Sequence, residues 1–243
     1  MTDAARILAA TRALNGKLSG LRFGKPADLV YYPLEYAWPV HRAYVEKFAA
    51  GSKRVVFLGM NPGPYGMGQT GVPFGEVSAV RDWMGLRGEV GRPEREHPAK
   101  LVEGFACKRS EVSGARLWGL FSSRFGAPEN FFAEHYVHNY CPLLFLENTK
   151  LGRNVTPENL PAAEMAPVYE ACDAFLRELV AVQRPAWVVG VGGFAEGRAK
   201  TALAGLPVKV GHLPHPSPAN PGANKDWAGA ATRALVAQGI WTK

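Results

Sequence analysis

Cysteine is scarce in this chain: Cys107, Cys141 and Cys172 are odd in number and far apart. Such spacing builds neither a disulfide framework nor a CxxC metal site, and an iron–sulfur cluster ordinarily takes four thiolates. The expected state of all three is reduced and buried. No HxxxH or HExxH spacing occurs either, so no helical metal site is written into the chain. His41, His97, His135, His138 and His212 therefore read as packing or surface residues, and no metal or cofactor is expected. Long apolar runs are also missing. None approaches the ~20 residues that cross a bilayer, and the N-terminus lacks the charged region, apolar stretch and cleavage site of a secretory signal. The expectation is an intracellular protein with no membrane partner. Low-complexity tracts are absent, and 243 residues form one substantial core by default. A single domain over residues 1–243 follows, with a helical extension at about 1–27.

Basic residues are in excess, 28 Lys and Arg against 21 Asp and Glu, for a net charge of +7. Such a surface attracts polyanions, of which nucleic acid is the commonest in a cell. The charges are spread out, however. Lys108-Arg109, Lys150 with Arg153, and Lys225 become phosphate contacts only where the fold gathers them on one side.

One stretch is dense in glycine and proline: Gly59-Met60-Asn61-Pro62-Gly63-Pro64, continuing from Tyr65 through Gln69-Thr70-Gly71-Val72-Pro73-Phe74-Gly75-Glu76. It follows Val55-Val56-Phe57-Leu58, an apolar run that reads as a buried parallel strand. Loops leaving the C-terminal ends of such strands are where open α/β proteins build their sites. The prolines and glycines around Asn61 hold its amide rigidly at the mouth of a cleft. Alone, the stretch is equally an ordinary turn, since Asn-Pro and Pro-Gly are common turn dipeptides. A second loop, His215-Pro216-Ser217-Pro218-Ala219-Asn220-Pro221, shifts the balance.

Periodicity places helices over about 3–18, 40–50, 76–84, 115–125, 162–182, 194–204 and 225–239. Strands are read at 55–58, 136–140, 187–192 and 207–210. Residues 87–112, rich in charge and glycine, read as a long surface connection. Four apolar strands separated by helices imply parallel pairing with helices on both faces. The fold class is then α/β: a three-layer α/β/α domain with a central four-stranded parallel sheet. In it Asn61, Asn139 and His215 each lie at or just past the C-terminal end of a strand and can converge on one crevice. Gly190-Val191-Gly192-Gly193 looks like a dinucleotide loop only superficially, because its spacing fails and it comes late in the chain.

These residues resemble the single-strand-selective monofunctional uracil-DNA glycosylases of the uracil-DNA glycosylase superfamily. Both loops match the family's motifs, the second extended by Ala223-Asn224-Lys225. Between them Val137-His138-Asn139-Tyr140-Cys141-Pro142-Leu143 and Gly152-Arg153-Asn154-Val155-Thr156-Pro157 are also family-like. The resemblance runs from about residue 28 to the C-terminus and implies a uracil-DNA glycosylase-like fold. It implies a hydrolase that flips uracil and 5-modified uracils, such as 5-hydroxymethyluracil, out of DNA and cleaves the N-glycosidic bond, starting base excision repair. Single- and double-stranded DNA are the implied partners, and the protein is expected to be a monomer without cofactor.

By the same resemblance, His215 donates to O2 of the leaving base and Asn61 holds the attacking water. Asn139 reads the pyrimidine edge, Phe74 stacks on the base, and the Met60 backbone N–H lines the pocket. Gly63 borders the C5 edge, where a side chain would block 5-substituents; alternatively it serves a turn with positive φ. Pro218, Ala219, Asn220, Asn224, Lys225 and Arg153 are implied to contact DNA. Two departures stand out: Tyr65 where members often have Phe, adding a hydroxyl near the cleft, and Ala219 where some carry arginine, weakening the grip on the duplex. Two other readings remain: a superfamily member shifted to deaminated purines, and an inactive nucleic-acid binding module. The presence of both Asn61 and His215 argues against the latter.

Overall fold

A computed structural model describes residues 1–242. Its strands are β1 (Leu29–Tyr31), β2 (Val55–Gly59), β3 (His135–Asn139), β4 (Leu144–Leu146), β5 (Asn154–Val155), β6 (Trp187–Val191) and β7 (Lys209–Leu213). Helices are α1 (Asp3–Leu18), α2 (Pro33–Tyr36), α3 (Trp38–Phe48), α4 (Met67–Thr70), α5 (Val112–Phe125), α6 (Pro128–Glu134), α7 (Ala162–Gln183), α8 (Gly193–Ala202) and α9 (Ala223–Ala237). The central sheet runs β3-β2-β6-β7, all parallel. Every residue of β2 and β3 is buried. Since alternate side chains point to opposite faces, both faces of the sheet are covered. Register decides what meets: Gly59 pairs with Asn139, and Val191 with Leu213. The loop after β2, the end of β3 and the loop after β7 thus open on one edge.

The helix α1 is no loose extension. Ile7, Leu14 and Leu18 join the main apolar core, and Arg6 reaches Glu178 of α7 at 2.9 Å. No helix among the described residues is long and apolar enough to cross a membrane. All three cysteines are free and buried.

Several expectations need correction. A second sheet, β1-β4-β5, is antiparallel and pairs Leu29 with Leu146 and Phe145 with Val155. Its strands of two or three residues are too short to show any periodicity. Residues 87–112 are not merely surface. Val102 and His97 are buried, and Gln69 fixes the segment. Its Nε2 donates to the carbonyls of Pro64 (2.8 Å) and Leu101 (2.9 Å), while its Oε1 accepts from the Glu103 and Gly104 N–H groups at 2.8 and 3.0 Å. The helix read at 76–84 closes as a wide turn, Ala79–Trp83, in which Met84 N–H donates to Ala79 O at 3.0 Å. The fourth strand starts at Lys209, not 207: Pro207 has no N–H to give a ladder, and the Val208 N–H turns back to the Leu206 carbonyl at 2.8 Å. Helix α9 is interrupted at Asp226 (φ −154°, ψ 73°), whose Oδ1 accepts from the Gly229 N–H at 2.9 Å. The regular helix begins only after it.

Candidate active site

The three loops enclose a cleft of about 260 Å³. Five predicted residues line it together with Met60: Asn61, Gly63, Phe74, Asn139 and His215. Drug-sized ligands occupy ~300–1,000 Å³; this space suits one heterocyclic base. A larger cavity, about 570 Å³, lies between Arg22 and Arg95 and holds none of these residues. Convergent polar groups, rather than size, select the smaller one.

His215 stands on the loop after β7, its ring against Gly192, where a Cβ would come within 3.2 Å. Asn220 Nδ2 donates to the His215 carbonyl at 3.1 Å. Ser217 N–H donates to His215 Nδ1 at 3.1 Å, so the proton of the neutral ring sits on Nε2. Burial pushes this imidazole below its ordinary pKa, which keeps it neutral. The result is a fixed, uncharged donor.

Asn139 ends β3 and is buried. It does not satisfy strand-end backbone: Nδ2 donates to Met67 Sδ at 3.2 Å, and Oδ1 is buried without a partner. An orphaned acceptor costs about 1–3 kcal/mol; several buried atoms among the described residues lack partners, but those of Asn139 and Glu111 are the ones at the cleft. Asn61 is oriented differently. Its Nδ2 donates to the Leu143 carbonyl at 3.3 Å, which leaves Oδ1 free to accept.

Phe74 has φ of 52°, an uncommon and strained value for a bulky residue. Its carbonyl is gripped by Trp118 Nε1 (3.0 Å) and the Glu76 N–H (2.7 Å). The ring centroid lies 6.4 Å from that of His215. Strain maintained by buried hydrogen bonds presents the ring to the cleft.

Gly63 does not have a positive φ, so the turn explanation fails. A Cβ there would collide with the carboxyl of Glu111. Sequence reading missed Glu111 and Ser113 and gave no role to Pro64, Asn154, Thr156 and Ser217, all of which line the cleft. Asn154 and Thr156 sit in the segment already singled out, beside Arg153. Arg153 itself is exposed and absent from the lining. Nothing in the sequence flags Glu111, which falls in the charged stretch 87–112 read as a surface connection; the helix expected from about 115 in fact begins at Val112, with Glu111 at its cap.

Around the cleft, Pro218, Ala219, Asn224 and Lys225 are exposed. Arg116 of α5 ties their loop down, donating to Pro216 O at 2.8 Å and Asn224 Oδ1 at 3.1 Å, while Asn224 Nδ2 donates to Pro218 O at 2.9 Å. Asn220 and Asn224 are thus engaged inside the loop. The Tyr65 hydroxyl accepts from Lys100 Nζ at 3.0 Å and from the Arg109 guanidinium, and both cations lie over its ring at 5.1 and 5.0 Å. Two positive charges therefore gather one residue beyond the lining Pro64. No group of three or more His, Cys, Asp or Glu side chains among the described residues is placed to hold a metal ion.

A model of the uracil DNA glycosylase superfamily matches residues 46–236. Over 229 residues the chain is 52% identical to the single-strand selective monofunctional uracil-DNA glycosylase of Rattus norvegicus, covering 93% of this chain and 82% of the rat protein. The Bos taurus protein of the same name is also 52% identical, with 93% and 84% covered. The crystal structure of wild-type Pedobacter heparinus SMUG2 matches with a TM-score of 0.67 at 19% identity, over 99% of this chain and 100% of that one. That last likeness speaks for the fold alone, whereas the family model and the mammalian relatives speak for descent. The chain belongs to the uracil DNA glycosylase superfamily and, within it, to the single-strand selective monofunctional uracil-DNA glycosylases.

Proposed function

We propose that this chain extrudes uracil from DNA and hydrolyses its N-glycosidic bond, with Asn61, Asn139, Phe74 and His215 as the working residues. One observation carries the reading: a fixed His215 Nε2–H and an unpartnered Asn139 Oδ1 share one base-sized cleft. Taking the base out of the stack costs a few kcal/mol, which stacking on Phe74, worth ~1–3 kcal/mol, offsets. Asn139 Oδ1 accepts from N3–H, and its Nδ2 leaves Met67 to donate to O4. Cytosine offers the reverse pattern and is refused.

As the N1–C1′ bond breaks, its electron pair moves onto the base and collects on O2, while the sugar becomes oxocarbenium-like. His215 Nε2–H donates to O2, and a preorganised donor of this kind is worth ~3 kcal/mol. Asn61 Oδ1 accepts from a water that adds to C1′ and releases its proton to solvent. An amide is too weak a base to take that proton, but a cationic sugar needs a positioned water more than a deprotonated one. Uracil leaves as the anion and is protonated by solvent. No lysine nucleophile, metal or cofactor takes part. The relatives' name specifies single-strand selectivity; for this chain both single- and double-stranded DNA are substrates, uracil and 5-hydroxymethyluracil both bases, and the monomer, inside the cell, the working form.

The loop from Pro218 to Lys225 enters the duplex, and Lys100, Arg109, Arg153 and Lys225 contact phosphates. Each contact removed by a Lys→Ala or Arg→Ala change should lower the salt slope of DNA binding by about one. A wild-type slope in these variants would mean solvated surface only. The reaction itself is tested by base release from oligonucleotides carrying uracil, 5-hydroxymethyluracil, thymine, hypoxanthine or xanthine, with excess EDTA present. Uracil should be released; preference for hypoxanthine or xanthine would move the reading to deaminated purines, and no release at all would leave a binding module.

A further inference from the structure

Glu111 occupies the N-cap position of α5, yet its side chain makes no capping hydrogen bond. The carboxyl turns inward instead, into the space left by two glycines: a Cβ on Gly63 or Gly66 would collide with Oε2. That oxygen is buried, and the polar group beside it is the Gly66 N–H, which makes no well-aligned bond to it. The neighbouring Gly66 N–H is directed at the Gly63 carbonyl, 3.4 Å away. An acid at a helix start normally serves the helix. This one serves the cleft it lines.

The orientation of the base proposed above, on which this inference rests, leaves one edge unread. N1 carries the sugar, O2 faces His215, and N3–H with O4 face Asn139. The C5 edge remains. Met67, bonded to Asn139 Nδ2, follows directly on Gly66, so the Gly63–Met67 turn adjoins the O4 side. The wall at C5 is therefore Gly63 backed by Glu111.

We propose that Glu111 determines specificity at C5, its carboxyl hydrogen-bonding the oxygen of a hydroxymethyl or formyl substituent on the extruded uracil. As the neutral acid it donates O–H to that oxygen, and its carbonyl oxygen accepts from a hydroxymethyl O–H. Burial, aided by the nearby Glu76 carboxylate and opposed by the Gly66 N–H, raises its pKa to about 7. The other titratable groups around it are already engaged. Glu76 accepts from Ser78 Oγ and the Ala79 N–H, Tyr65 is held by Lys100 and Arg109, and His215 is kept neutral. A methyl at C5 offers this carboxyl nothing and leaves it buried and unpartnered. Thymine, present throughout normal DNA, is excluded by polarity rather than by size.

The test compares wild type, E111Q and E111L in single-turnover release of uracil, 5-hydroxymethyluracil and thymine between pH 6 and 8.5. The readout is the ratio of each modified base to uracil, so a general loss of activity does not mimic the effect. E111L should lower the 5-hydroxymethyluracil ratio by about tenfold and raise the thymine ratio. The wild-type 5-hydroxymethyluracil ratio should change as pH passes through about 7, because the carboxylate accepts from the hydroxymethyl O–H but can no longer donate, while E111Q, which cannot ionise, should show a flat ratio. Unchanged ratios in E111L, or a pH-independent ratio in wild type, would overturn the proposal. Should E111L not fold, the contrast between wild type and E111Q decides alone. Equal loss of every base would instead make Glu111 structural or catalytic, and absence of uracil release from wild type would defeat the underlying glycosylase reading first.

Discussion

Asn139 and Phe74 meet over the same missing side chain: Asn139 Oδ1 and the edge of the Phe74 ring both lie where a Cβ on Gly59 would be. A strand-ending glycine thus lets the Asn139 amide and the Phe74 ring, both lining the cleft, approach one backbone. Gly59→Ala should displace both at once. We expect base release to fall by about 10²-fold or more, as misplacement of about 1 Å can do, with overpacking costing about 1–3 kcal/mol of stability. Single-turnover rates beside a urea melt check this. Wild-type rates in the folded variant would show that the contact does not set the geometry.

His215→Ala and Asn61→Ala should each lower single-turnover base release by at least about 10²-fold while DNA affinity stays nearly intact. In the proposed mechanism both groups act on the transition state rather than on phosphates, so rate should suffer more than binding. A rate within a few-fold of wild type would remove that residue from the mechanism.

Phe74 offers a comparison whose sign is unusual. At its φ of 52° glycine is unstrained and alanine is not, so Phe74→Gly should be more stable than Phe74→Ala by about 1 kcal/mol. Both should lose activity equally through loss of the ring. Urea midpoints in the opposite order would show that the backbone at 74 relaxes once the ring is gone.

Stability should decline on mild acidification. Burial lowers His41 and His135 to about 4 and His138 to about 3. His135 uses both nitrogens in a way open only to the neutral ring, donating to Phe131 O at 3.0 Å and accepting from Trp241 Nε1 at 3.1 Å. Unfolded histidines titrate near pH ~6.5, so below that the unfolded state binds more protons and stability falls with pH. Each ring contributes up to about 1.4 kcal/mol per pH unit, down to its folded value. Glu111 works against one of them: raised to about 7 from 4.5, it makes the folded state the better proton binder between those values. Urea midpoints should still drop from pH 7 to 5. Constant midpoints across that range would mean the rings titrate as if exposed.

Much of this was legible in the sequence because parallel strands buried on both faces leave continuous apolar runs. Val55–Leu58 and Trp187–Val191 announced themselves, and once their order was known Asn61, Asn139 and His215 had to share an edge. The β1-β4-β5 sheet was invisible, its strands being shorter than any period. Gly63 draws notice in the sequence as a residue of the first loop, but the side chain that crowds it lies forty-eight residues away in Glu111, and no local pattern connects the two. Asn154 and Thr156 were passed over for Arg153 because charge suggests DNA. In a short strand side chains two apart share a face, so Asn154 and Thr156 border the cleft while Val155 between them is buried in the core.

Helix α5 carries Glu111 at its cap and Arg116 just over a turn later, the second holding the loop of Pro216 and Asn224. Five residues on a helix are separated by about 7.5 Å along its axis, and a helix packed by Leu117, Trp118 and Phe121 moves as a rod. The cleft wall at Glu111 and the tether of the loop after β7 are therefore two ends of one lever, so a shift that loosens either is felt at the other.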